Sequence, residues 1–411
     1  MKKKLIRKYA QLIANKGIGL RENQQVCIYA PTSAASFVEI LTEELYHCHA
    51  KRVLIEWSNQ AIHKTKYQYE SENTLSELPE YVKEKAKYFF QHKIARISIS
   101  SFDPDGMKGI DFNKLKIARE ASAVLNKYLS DPYMASLIQW CVVAVPNPLW
   151  AKKVFPHLSK NQAMEALWDA ILKANHINET NDPIQEWQHH DFQLHQRAQQ
   201  LNEYRFKYLK YKASNGTNFT IGLVSNHLWA GGSEGNVDDI PEFNPNMPTE
   251  EIFTMPHKDQ VNGKVVATKP LSYQGNLIED FYFIFKDGQV IEAYAKKGQE
   301  ALNALLATDE GSKRLGEVAL VPYHSPISES NILFYHTLFD ENASCHLALG
   351  NAYSMNIEGG AKMDEKDLIT LGYNHSLIHV DFMIGSQDLS IIGVQEDGTE
   401  IPVFVKGDFA I

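Results

Sequence analysis

The stretch SLIHVDFMIG, Ser376 to Gly385, sets a histidine and an aspartate two residues apart inside an apolar run. On a strand alternate side chains share a face. His379, Asp381 and Met383 then point one way, and Ile378, Val380, Phe382 and Ile384 the other. An unpaired ionised carboxylate in a core is too costly to stand alone, so something must compensate Asp381. Similar polar groups interrupt other apolar segments: Glu250 and Glu251 in NMPTEEIFTMP, Glu317 in RLGEVALVP, and Glu341, His346 and Tyr353 in FDENASCHLALGNAY. Singly, each has an ordinary explanation. A buried histidine is most often a satisfied core residue, a glutamate at a strand start is usually solvated, and a tyrosine packs. Jointly, several carboxylates and imidazoles without matching buried arginine or lysine need a counter-charge, and a divalent cation supplies it.

The donor types narrow the ion. Carboxylate and imidazole without thiolate suit Zn²⁺, Co²⁺ or Mn²⁺. The group is larger than one tetrahedral zinc requires. It fits a two-metal site, with ions about 3.5–4 Å apart and a bridging carboxylate and water. His189, His190 and His195 form a denser histidine cluster, but they lie in a polar helical segment without HExxH spacing, and a solvated or structural role is the better reading. Cys27, Cys48, Cys141 and Cys345 form no CxxC pair and sit in apolar surroundings, as reduced thiols of a cytoplasmic protein do.

The elements that must position these groups fall into two textures. In the first half, strand-like QQVCIYA, RVLIEW, ARISISS and WCVVAVPN alternate with helical AASFVEILTEELYHCHA and FNKLKIAREASAVLNKYLS. That rhythm predicts an α/β domain with a largely parallel sheet. The basic start MKKKLIRK continues into Leu5, Tyr9, Leu12 and Ile13 at helical spacing, which reads as an amphipathic helix ending at Gly17 or Gly19 and not as a secretory signal. A mostly helical stretch follows from about Ala151 to Tyr208. Beyond Lys212, short strands separated by Gly, Asn and Pro predict an α+β, strand-rich domain, with a hairpin at Lys286-Asp287-Gly288. At 411 residues the chain exceeds one ordinary core. The change of texture near 195–210 suggests an N-terminal α/β domain over 1–200 and a C-terminal catalytic domain over 201–411. A net charge of −9 argues against a general nucleic-acid footprint. No apolar run approaches the roughly 20 residues of a membrane span.

Three long segments carry a resemblance. NPNMPTEEIFTMPHKDQVNGKVVATKPLSYQGNLIEDF, TLFDENASCHLALGNAY and HSLIHVDFMIGSQDLSIIG are similar to hallmark segments of the aminopeptidase T and aminopeptidase S metallopeptidases, two-metal exopeptidases that lack an HExxH helix. The likeness extends to KYAQLIANKGIGLRENQQVCIYAP and CVVAVPNPLWAKKVFP, so it spans nearly the whole chain. It implies Glu251, Glu317, His346, His379 and Asp381 as metal ligands and Tyr353 as the active-site tyrosine. The choice of Glu251 over Glu250 comes from that motif match alone. Glu341 or Glu250 is then the carboxylate available for proton transfer. The resemblance also implies a homodimer acting on short peptides.

Two other classes compete. A metal-independent hydrolase would use Glu251 and Glu317 as an acid–base pair on a glycoside, leaving His346, His379 and Asp381 without a role. A non-catalytic ligand-binding protein would use its first domain for capture and its buried carboxylates as braces.

Overall fold

The computed structural model describes residues 2–129, 131–235 and 240–411. Strands β1 (Gln25–Pro31), β2 (Arg52–Ser58), β3 (Ala95–Ser100) and β4 (Trp140–Ala144) form a parallel sheet in the order β2-β1-β3-β4. Parallel neighbours require crossovers, and helices supply them: α1 (Lys2–Leu12) precedes β1, α2 (Ala35–His47) joins β1 to β2, and α3 (Gln60–Tyr69) follows β2. The expected first helix buries Tyr9, Leu12 and Ile13 and ends in a wider turn over Ile13–Gly17. Helix α3 escapes a reading by periodicity because it buries no residue. It is set instead by Asn59, whose side chain accepts from the Ala61 and Ile62 amides. The expected helical run 112–130 breaks into Phe112–Ala123 and Asn126–Leu129, and Ser130 lies outside the described residues.

The chain sorts into two compact units, Met1–His189 with Ser233–Pro248, and His190–Gly232 with Thr249–Ile411. The return of Ser233–Pro248 is a non-local event; Asn246 bridges Val142 beside β4. A division drawn where local texture changes does not contain such a return.

The second unit is built from β5 (Tyr208–Lys212), β6 (Asn218–Leu223), β7 (Ile252–Thr254), β8 (Pro256–Val266), β9 (Leu271–Tyr273), β10 (Asn276–Lys286), β11 (Gln289–Lys297), β12 (Leu315–Leu320), β13 (His346–Gly350), β14 (His379–Met383), β15 (Ser390–Val394), β16 (Glu400–Val405) and β17 (Asp408–Phe409). A nine-stranded sheet runs β11-β10-β8-β6-β5-β15-β16-β17, with β9 on β10, and a four-stranded sheet runs β14-β13-β12-β7. All pairs here are antiparallel. The hairpin expected at Asp287-Gly288 joins β10 to β11, both residues at positive φ. The apolar faces enclose one core, in which Phe382 of the small sheet meets Phe283 of the large one, ring centroids 5.0 Å apart.

That contact locates the load. Phe382→Ala is expected to lower stability by about 3–5 kcal/mol, read as a lower denaturant midpoint with native secondary structure retained before the transition.

Candidate metal centre

Register brings the separated motifs together. Glu317 lies opposite Ala348, which lies opposite Asp381; His346 lies opposite Ala319 and Met383; His379 lies opposite Gly350. Directly opposed side chains share a face, so Glu317, His346, His379 and Asp381 project from one side of the small sheet. Phe253 opposes Ala319, and Glu251, two residues before it, falls on the same side. The other side carries Ile252, Val318, Leu320, Leu347, Leu349 and Phe382, all in the core. Between the polar groups stand Ala319, Ala348 and Gly350, small enough to leave them room. Gly350 is required for a second reason. Its φ is 107°, and a Cβ there would lie 2.1 Å from the Ile378 carbonyl oxygen.

The geometry is that of two overlapping triads. His346 Nε2 lies 3.0 Å from Glu251 Oε2 and 3.4 Å from Glu317 Oε1. His379 Nε2 lies 3.4 Å from Glu317 Oε2 and 3.3 Å from Asp381 Oδ1. Glu317 therefore offers one oxygen to each imidazole. Donor atoms of Glu251, Glu317 and His346 fall within 4.8 Å of one another, as do those of Glu317, His379 and Asp381. Both rings are oriented from behind: His346 Nδ1 lies 3.1 Å from the Ser344 carbonyl and His379 Nδ1 lies 2.7 Å from the Asn351 carbonyl. A carbonyl only accepts, so each Nδ1 carries the hydrogen and each Nε2 is turned to the carboxylates. This is how imidazole ligands of a metal are held. The close approach to Glu251 lacks hydrogen-bond alignment, and apart from His346 Nε2 the buried Glu251 Oε2 has no polar partner. Three carboxylates, two oriented imidazoles and one orphaned buried oxygen fit divalent cations.

Electrostatics agrees. Burial works against charge on His346 and His379, but the facing carboxylates outweigh it and hold both imidazoles protonated. Burial likewise raises Glu317, yet the two histidines pull it down to about 2. Glu251 is raised by burial, with His346 offsetting part of that rise. Glu341 is pushed well above the carboxylate range by burial and by the charges of Asp381 and Glu251, which sets its carboxyl in the field of the cluster. Tyr353, raised by burial and the same carboxylates, keeps its proton and stacks obliquely on His379 at 4.8 Å.

Glu250 does not join the group. Its carboxylate turns toward His190, 3.9 Å away, while the His190 ring meets the Thr249 carbonyl at 2.7 Å. Neighbouring residues of an extended chain face opposite ways, which separates Glu250 from Glu251. Sequence reading missed the parts that aim the cluster. Asn342 accepts from the Glu250 amide at 2.6 Å and donates to Leu338 O at 3.0 Å, tying the Glu341 turn to the Glu250-Glu251 segment. Asp340 accepts from the Phe334 and His336 amides at 2.8 and 2.9 Å. The bond from the Glu250 amide to Asn342 spans 92 residues and leaves no local pattern.

In the metal-free protein both imidazoles carry protons that an incoming cation must displace. Zn²⁺ or Mn²⁺ added to chelator-treated protein is therefore expected to release protons and to bind more tightly as pH rises. Calorimetry in buffers of different ionisation enthalpy reads the release. At about 100 times Kd the cation adds about 2.7 kcal/mol of stability, and binding without proton release would contradict the arrangement.

Known proteins are similar to this chain from end to end. Aminopeptidase AmpS of Bacillus subtilis is 43% identical over 402 residues, covering 98% of this chain and 97% of that protein. Aminopeptidase T of Thermus thermophilus is 37% identical over 409 residues, covering 100% and 99%. The solved structure of wild-type AmpT from Thermus thermophilus superposes with a TM-score of 0.91 at 36% identity, covering both chains completely. Residues 2–409 match the thermophilic metalloprotease (M29) family, and with whole-chain relatives at this identity the chain belongs to that family.

Proposed function

We propose that Glu251, Glu317, His346, His379 and Asp381 hold two divalent cations, Zn²⁺, Co²⁺ or Mn²⁺, and that residues 201–411 use them to remove N-terminal residues from short peptides. The enzyme is a metal-dependent aminopeptidase, as its family and relatives are. The observation that supports the two-ion reading is Glu317, which offers one oxygen to each of two imidazoles. Bound cations would supply Lewis acidity, polarising the scissile carbonyl and lowering the pKa of the attacking water.

The chain's own groups do the rest. The backbone carbonyls of Ser344 and Asn351 keep both imidazoles in the ligating tautomer. Glu341, buried in the field of the cluster, carries the proton from the water to the leaving amine. Its place there, against the outward turn of Glu250, favours Glu341 for this task. Tyr353 donates its hydroxyl hydrogen to the oxyanion, a bond that strengthens as charge develops. A glycosidase reading of Glu251 and Glu317 leaves the two oriented imidazoles idle, and a passive-binding reading leaves the family unexplained. No described helix is long and apolar enough to cross a membrane. Cytoplasmic residence, consistent with the free cysteines, and a homodimer complete the proposal; light scattering reads the latter.

The decisive experiment measures amino acids released from a short-peptide panel before and after chelation, with cobalt, zinc or manganese added back. Activity lost and restored is expected, and full activity in demetallated protein refutes the reading. Tyr353→Phe is expected to lower kcat by about 10²–10³-fold with metal content retained, and Glu341→Gln by about 10²–10⁴-fold.

A further inference from the structure

The parallel sheet of the first unit carries a cavity of its own, about 750 Å³. It is lined by the segments that follow all four strands: 31–33 after β1, 59–61 after β2, residues from 101 to 106 after β3, and 147–149 after β4. In the order β2-β1-β3-β4 the winding reverses between β1 and β3. The crevice outside the carboxyl ends of such strands, at the reversal, is where open α/β sheets take ligands. The volume lies in the range of small-molecule sites.

The walls are braced in the absence of any ligand. Gln60 clamps the third segment through both ends of its amide, accepting from the Asp103 amide at 2.8 Å and donating to the Asp103 carbonyl at 2.9 Å. A Cβ on Gly106 would fall 2.4 Å from that amide and displace it. Asn59 donates to Thr32 Oγ1 at 3.2 Å, tying the second segment to the first. A preformed cavity binds without an ordering cost.

Its charge is unbalanced. Lys64, Lys152 and Lys160 are among its lining residues together with Asp103, three basic residues to one acidic. Lys64 donates to the Lys108 carbonyl at 2.8 Å and Lys152 to the Pro156 carbonyl at 2.7 Å. Carbonyls position these ammonium groups but do not neutralise them, and among the described residues none of the three meets a carboxylate. The surplus matches a phosphate monoester, which carries about −1.5 to −2 charge at neutral pH. A monocarboxylate would leave part of it uncompensated.

We propose that this cavity binds a small phosphate monoester, with the lysines on the phosphate, Asp103 accepting from a hydroxyl, and Ala61 and Leu149 against the body of the molecule. The test titrates the full-length, metal-loaded enzyme with adenosine 5′-monophosphate, ribose 5-phosphate, inorganic phosphate and adenosine, read by calorimetry and thermal unfolding. At least one monoester is expected to bind once per chain, more tightly than inorganic phosphate or adenosine and more weakly as salt rises. Lys64→Ala and Lys152→Ala are each expected to weaken it about tenfold or more, with aminopeptidase activity unchanged. Ala61→Trp, which places an indole in the cavity, is expected to abolish binding. Glu317→Gln, which alters only the metal centre, is expected to leave it intact. Failure of both monoesters, equal binding of adenosine or inorganic phosphate, indifference to the lysine variants, or loss in Glu317→Gln would each overturn the proposal.

Discussion

Everything at the metal centre depends on the two-residue period of a pleated strand. In β12, β13 and β14 one set of alternate residues packs the core while the other converges on a single point. A slip of one residue would exchange the sets, burying carboxylates among phenylalanines and turning Leu347 and Phe382 toward the peptide. Devices that hold register therefore act on chemistry as directly as the ligands do. The irregularity between Leu315 and Glu317 sets the phase of β12. Gly350 permits the close approach of Ile378, whose carbonyl takes the Asn351 amide at 2.6 Å, and the Asn351 carbonyl in turn takes His379 Nδ1. One chain of backbone contacts thus sets both strand pairing and imidazole orientation.

Charge imposes the second condition. Three carboxylates face one another in a site with little access to water, and the metal-free fold tolerates them because two imidazoles take up protons while Glu341 keeps its own. Bound cations would supply positive charge in place of those protons.

These two conditions explain what could be read in advance. The pairing of His379 with Asp381 was legible because it is local, and so was the β-α alternation of the first half. That Glu251, Glu317 and His346 belong to the same face is a matter of register between strands far apart in the chain; charge compensation suggested the grouping, and the long motif resemblance made it specific. Glu250 and Glu251 could not be told apart by composition; the extended backbone separates them. Helix α3 was silent because it buries nothing, and the role of Asn342 was silent because the amide it accepts from belongs to the distant Glu250 segment.

The two sheets place chemistry differently for a reason of layer geometry. Strands β1, β3 and β4 carry no exposed residue, as expected of a parallel sheet covered by crossover helices on both faces. These three strands have no free face on which to gather ligands, and exposed side chains are confined to the edge strand β2, so polar groups collect where strands end. The small antiparallel sheet needs only one apolar face to stay folded. Its other face is available along the length of the strands, and consecutive odd positions there can hold His379 and Asp381 side by side. A single chain that contains both kinds of sheet can therefore hold a cavity at strand ends and an ion-binding face along strands, each built from residues that the other's packing does not need.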